Sequence, residues 1–187
     1  MPAEQRVVRR RRADGREKLY GAQRRIGWLF SILIALLVLL VLFVLWFSAA
    51  PVDGDSMAPA LIDGEIVLCD RLAKYWKTPV RGDMIAFTTA DGSFLKRIVG
   101  LPGETVEVVS GRVYIDSAPL DESAYADNFL GDAAPVTVPE GCVYVLGDNR
   151  RKMYDSRIES VGCIPYERID GVLRFRVYPI ARFTIFF

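Results

Sequence analysis

The sequence predicts a mainly β domain behind a single N-terminal transmembrane helix. Three observations carry this reading. Residues 26–52 contain no charged side chain. After residue 51 helical periodicity is weak, and short apolar, β-branched runs alternate with Gly, Pro and Asp. Charge is also split: residues 1–25 hold nine Arg/Lys against three Asp/Glu, and the remainder holds fifteen against twenty.

Taken in chain order, residues 1–25 form a basic tail, expected on the cytoplasmic side beside anionic lipid. Nucleic-acid binding by Arg9–Arg12 is the other reading of such a run, but a basic tail next to a span is better explained by topology. Residues 26–50 are the expected anchor. At 1.5 Å per residue they reach about 37 Å, more than a hydrocarbon core of roughly 30 Å. Trp28 and Trp46 lie near the two ends, where interfacial aromatics sit. Ser48-Ala49-Ala50 has the small residues of a processing site, but Pro51 follows directly and the apolar run exceeds a signal-peptide core. The run is therefore read as an uncleaved anchor, with residues 51–187 outside the cytoplasm.

In the outer domain, strands are expected at 65–68, 84–87, 93–99, 105–109, 112–115, 142–146, 172–178 and 183–186. The pair 105–109 and 112–115 forms a hairpin around Ser110-Gly111. Residues 116–135, with Pro119, Asp121, Glu122, Asp127, Asn128 and Gly131, read as an exposed insertion or small lobe. Tyr75, Trp76 and the terminal Phe183, Ile185, Phe186 and Phe187 are candidates for lipid contact, with β-core burial the other reading of Phe183 and Ile185. Cys69, Cys142 and Cys163 do not have metal-ligand spacing; a Cys142–Cys163 disulfide and three unpaired thiols are both open.

The chain has no histidine. An activated serine must use another base, and lysine is the chemical choice because arginine stays protonated. Ser56 follows Gly54-Asp55, where glycine permits unusual dihedrals and a close backbone approach. Lys96 lies forty residues on, in an apolar run between Leu95 and Ile98. If it points inward, burial lowers its pKa and leaves a neutral amine that can accept the serine proton. Strand alternation alone does not choose between Lys96 and Arg97 for the inward position. A dense polar run, Gly147-Asp148-Asn149-Arg150-Arg151-Lys152-Met153-Tyr154-Asp155-Ser156-Arg157, follows a predicted strand. In it Asp155 can pair with Arg157, and Asp148 or Asn149 can hold a loop. Ser156 is a competing nucleophile by composition. Asp148 with Asp155 is a weak case for paired-carboxylate chemistry.

Four ordered blocks, Gly54–Leu61, Arg81–Phe87, Lys96–Gly103 and Gly147–Arg157, together resemble bacterial signal peptidase I, a membrane-bound serine endopeptidase. The resemblance covers nearly all of residues 26–187. It implies a signal-peptidase-like β domain with Ser56 as nucleophile, Lys96 as general base and the Ser56 backbone N–H in the oxyanion hole. It also implies that Met57 shapes the substrate pocket and that Asp155, Arg157, Asp148 and Asn149 support the site. Two positions depart from the family pattern: Gly54 stands where some members carry a hydroxyl for the oxyanion, and Met153 where members often carry a serine that orients the lysine amine. The implied substrates are secretory preproteins with cleavable signal peptides, cut after small residues such as Ala-x-Ala, at a membrane-lipid surface. No metal, organic cofactor or nucleic acid is implied. A membrane scaffold that binds exported proteins without efficient cutting and a self-cleaving Ser/Lys regulator are the alternatives; the anchor argues against the latter.

Overall fold

The computed structural model describes residues 3–76, 78–126 and 131–186, with side chains from residue 25 onward except that of Trp76. The chain divides into two units, residues 1–45 and 46–187. The first is helical. Helix α1 runs Ala3–Trp46, and its stretch Arg25–Trp46 has a mean hydropathy of 3.2 with none of it buried. By length and composition that stretch is sufficient to cross a membrane.

The helix stops four residues short of the anchor boundary expected at residue 50. The helix ends at Trp46, and β1, Phe47–Pro51, pairs antiparallel with β2, Ile66–Asp70. The Arg71 N–H donates to the Trp46 carbonyl, and the Phe47 ring meets Phe175 edge-on at 5.7 Å. Phe-Ser-Ala-Ala is as uncharged as the helix before it, so hydropathy alone does not separate the two.

The second unit is β-rich. A short helix α2, Ala73–Trp76, precedes β3, Met84–Thr89, and β4, Gly92–Gly100. The predicted hairpin forms β5, Thr105–Val109, and β6, Arg112–Ile115. Both turn residues have positive φ, Ser110 at 49° and Gly111 at 75°, the geometry of a tight I′ connection. There follow β7, Ala118–Pro119, β8, Ala133–Thr137, β9, Cys142–Leu146, β10, Ile164–Pro165, β11, Ile169–Tyr178, and β12, Thr184–Ile185. The larger sheet has the order β1-β2-β11-β3-β4-β9-β10, with β12 on β11; the smaller has the order β7-β6-β5-β8.

The insertion expected at 116–135 is not simply exposed. It supplies β7 and the start of β8 to the smaller sheet, and Glu122 and Ala126 within it are buried. Its Pro and Gly residues mark turns between very short strands, which propensity reads as loop. Asp127 and Asn128 lie outside the described residues. Val99, Val106, Val108, Val113, Tyr144 and Leu146 form one core that joins the two sheets. Gly100 makes this approach possible: a Cβ there would lie 2.4 Å from Val106 Cγ2. A second core, containing Val52, Met57, Leu61, Val67 and Leu173, lies beneath the loop that carries Ser56.

The three cysteines are unpaired: Cys69 is buried, and Cys142 and Cys163 are half-buried against the inter-sheet core. Phe183 and Ile185 are exposed and Phe186 half-buried, so core burial does not account for the first two. Tyr75 is exposed; the Trp76 side chain and Phe187 fall outside the description.

Candidate active site

Ser56 sits in the loop between β1 and β2, and Lys96 at the middle of β4. The strand and the loop bring them together, with Lys96 Nζ donating to Ser56 Oγ at 2.7 Å. Lys96 is the inward residue, 2% exposed and opposite Ile85 on β3. Its neighbour Arg97 turns to the other face and makes a bidentate pair with Asp148, at 2.8 and 2.6 Å. Burial pulls the Lys96 pKa down from 10.5 to about 8. Asp155 and Asp148 push it up and Arg157 pushes it down, so removal from water is the leading cause.

Both side chains open onto a cleft of about 190 Å³ whose walls include Ala50, Val52, Met57, Ala86, Phe94 and Leu95. Its walls are mostly apolar side chains. Along one side the backbone is open. β4 pairs with β9 only from Arg97 onward, which leaves the Gly92–Leu95 edge without a strand partner on that side among the described residues.

The polar run 147–157 wraps around Ser56. The Asn149 N–H donates to the Ser56 carbonyl and its side-chain amide to the Asp55 carbonyl, both at 3.1 Å. Asp155 and Arg157 are fully buried and paired at 2.8 Å. Asp155 also accepts from the Gly147 N–H at 3.2 Å, and Arg157 donates to the Arg150 and Lys152 carbonyls. This pair therefore folds the loop onto itself beside Lys96. Of Asp148 and Asn149, it is Asn149 that holds the loop through backbone partners, and Asp148 pairs with Arg97. Burial raises its carboxyl pKa, and the bond from Arg97 opposes the rise. Ser156 does not compete with Ser56: it is buried, and its Oγ accepts from the Val145 N–H at 2.9 Å.

Gly147 has a direct steric role. A Cβ at this position would stand 2.6 Å from the Ser56 carbonyl oxygen. Gly147→Ala is expected to displace the Ser56 backbone and lower kcat by about 100-fold, since misplacing a reacting group by an ångström has that effect. Steady-state kinetics on protein of native near-UV circular dichroism checks this; an unchanged kcat would show that the Ser56 backbone tolerates the shift.

The two departures have structural counterparts. Gly54 has φ +79°, donates its N–H to Asp63 Oδ1 at 2.8 Å and has open space where a Cβ would stand. Met153 is 45% exposed. A Cβ on Gly131 would be 3.4 Å from its terminal methyl, which places that end of the side chain toward the smaller lobe.

Sequence reasoning missed one element of the site. Arg150 is buried and bonded to Glu122 of the insertion through both terminal nitrogens, while also donating to the Gly147 and Gly111 carbonyls. The Arg97 guanidinium lies over the ring of Tyr125 from the same insertion, 4.3 Å from its centroid. Arg150 was visible as part of a polar run. Nothing local marks Glu122 as its partner, 28 residues away.

Residues 25–178 match the model of the signal peptidase family, peptidase S26. Signal peptidase I S of Bacillus subtilis (strain 168) is 36% identical over 163 residues, covering 81% of this chain and 88% of the relative. A probable signal peptidase I-1 of Synechocystis sp. is 33% identical over 162 residues, covering 80% and 82% respectively. A solved signal peptidase I from Enterococcus faecalis V583 is 37% identical, covers 52% of this chain and 97% of its own, and superposes with a TM-score of 0.44. A family match that takes in Ser56, Lys96 and the whole polar loop, with relatives aligned over four-fifths of the chain, makes this protein a member of the signal peptidase family, peptidase S26.

Proposed function

We propose that this signal peptidase cuts signal peptides from secretory preproteins with Ser56 as nucleophile and Lys96 as general base. The observation that carries this is the 2.7 Å contact between a buried amine and a serine hydroxyl at the foot of an apolar cleft. The neutral Lys96 amine takes the Ser56 proton as Oγ attacks the scissile carbonyl carbon. The resulting ammonium returns that proton to the leaving amine, giving an ester on Ser56. Lys96 then deprotonates a water that attacks the ester, and Ser56 regains its proton as the carboxylic acid leaves. The Ser56 N–H has no protein acceptor among the described residues, consistent with donation to the developing oxyanion.

The substrate segment lies extended against the open Gly92–Leu95 edge, where main-chain pairing sets its register. The apolar cleft admits the small side chains of an Ala-x-Ala sequence and rejects bulky ones. Helix 25–46 crosses the membrane with the basic tail inside, and the β unit works outside. Phe183 and Ile185 help seat that unit on lipid. Anchoring confines enzyme and membrane-tethered preprotein to one surface and raises their encounter frequency.

Incubation of detergent-solubilised protein with a preprotein whose signal ends in Ala-x-Ala is expected to give one cut, directly after the second alanine, by mass spectrometry. Binding without cutting would overturn the proposal. The pH dependence follows from Lys96. Only the neutral amine is active, so kcat/KM rises with pH toward a plateau, with its midpoint at about 8. Below the midpoint it falls by about tenfold per pH unit. A flat profile from pH 6 to 9 would remove Lys96 as the base.

A further inference from the structure

The loop from Asp53 to Gly64 is fastened at three places. Its base is closed by the Val52 N–H donating to the Glu65 carbonyl at 2.8 Å and by the Gly64 N–H donating to the Val52 carbonyl at 3.0 Å. At Ser56 it is held by Asn149. The third fastening lies on the far side, and its parts come from β11 and the segment after it. Arg176 Nη1 donates to the Ala60 carbonyl at 2.9 Å and reaches Glu65 Oε2 at 3.4 Å. Its Nε donates to the Arg182 carbonyl and its Nη2 to Thr184 Oγ1, both at 2.6 Å. The Phe186 ring lies 5.9 Å from the guanidinium. Glu65, 1% exposed, accepts from the Ile62 N–H at 3.1 Å and pairs with Arg182 at 2.8 Å.

These contacts bear on Ser56 through a short path. The Leu61 N–H donates to the Met57 carbonyl at 2.9 Å, and Met57 and Leu61 are both buried in the core beneath the loop. A shift at Ala60 therefore moves a packed turn that begins at the residue after Ser56. A register irregularity in the β11–β2 pairing falls between Arg176 and Tyr178, a feature that re-aims side chains on a strand. Only a planar guanidinium, with five N–H donors, can serve four acceptors in these separate directions; a lysine has one nitrogen. Arg182, Thr184 and Phe186 lie beyond residue 178, where the family match ends.

We propose that Arg176, with Glu65, is a positioning residue for Ser56: it holds the far wall of the loop and thereby the aim of the Ser56 hydroxyl and N–H at a bound carbonyl. The inference rests on Ser56 being the nucleophile. Arg176 does not touch the reacting atoms, so its loss lowers kcat and leaves both KM and the Lys96-controlled pH midpoint in place. Besides Arg176, Glu65 has the Ile62 N–H on Oε2 and Arg182 Nη1 2.8 Å from Oε1, so its charge has other partners.

The test uses the full chain in detergent micelles with an Ala-x-Ala peptide. Rates are normalised to folded protein by near-UV circular dichroism. In Arg176→Met, kcat falls by about 100-fold while KM stays within about twofold. The pH midpoint stays at about 8. Arg176→Lys recovers part of the loss, and Thr184→Val, which removes one of the four acceptors, lowers kcat by about fivefold. A folded Arg176→Met enzyme with wild-type kcat, or one whose pH midpoint moves, overturns the inference. If Arg176→Met does not fold, Thr184→Val decides, and an unchanged kcat there overturns it. Ser56→Ala is run alongside: cleavage by that variant defeats the nucleophile assignment itself, whereas an inactive Ser56→Ala beside a fully active Arg176→Met defeats only the positioning role.

Discussion

Lys96→Ala is expected to lower kcat by about four to six orders of magnitude, the scale seen when one member of a concerted nucleophile–base unit is removed. Ser56→Ala should give a similar loss, and the double variant little more, as expected for a nucleophile and base that act as one unit. The chain has no histidine to take over as base. Arg97, the adjacent cation, stays protonated and is turned away onto Asp148. The fold should not suffer. Lys96 is a buried amine whose pKa is lowered to about 8, so in the unfolded chain it binds protons more readily than in the folded one. The difference penalises the folded state by roughly 3 kcal/mol at pH 7, and the penalty fades as pH rises from 8 to 10.5. Lys96→Met is thus expected to be inactive and more stable than the parent at pH 7, with the gain vanishing above pH 10. Urea unfolding at the two pH values, beside active-site kinetics, measures both. A Lys96→Met protein that cleaves, or one that is less stable at pH 7, would contradict this account of the amine.

The second large effect is on stability. Glu122→Ala leaves the Arg150 guanidinium buried without its carboxylate, and breaking such a pair typically costs about 3–5 kcal/mol. For a chain of this size that lowers Tm by about 10 °C. Arg150→Met should cost at least as much, since it also abandons the Gly147 and Gly111 carbonyls. Replacing both residues, Glu122→Leu with Arg150→Met, should recover much of the loss, because an apolar pair needs no partner charges. A thermal and urea double-mutant cycle reads the coupling directly. Additive effects would mean that the pair does not dock the smaller sheet onto the 147–157 loop.

Much of the fold could be read from local pattern. The hairpin at Ser110-Gly111 was legible because a Ser-Gly pair separates two short β-branched runs. The strands at 84–87, 93–99 and 142–146 are apolar, β-branched and bounded by turn residues, and each lies inside an observed strand. What failed did so where local pattern carries no information. β1 continues the uncharged run of the helix, and its pairing with β2 depends on a segment about twenty residues away. β7 and β8 contain prolines and are only two and five residues long, so these two strands of the small sheet looked like loop.

The sequence by itself determined the chemistry that is available: an apolar span, a serine after it, a lysine forty residues on, and no histidine to compete. It also determined, through the ordered blocks, the family. The tertiary structure alone decided which cation is inward, because strand alternation permits Lys96 or Arg97 and only packing against Ile85 on one face and Asp148 on the other separates them. It alone set the 2.7 Å contact, the pull of burial on the amine, the clearance that only Gly147 provides, and the clamps from Arg150 and Arg176. The physical reason is common to all of these. Desolvation and hydrogen-bond geometry depend on which distant segments share a volume, whereas composition and spacing report only what lies next along the chain.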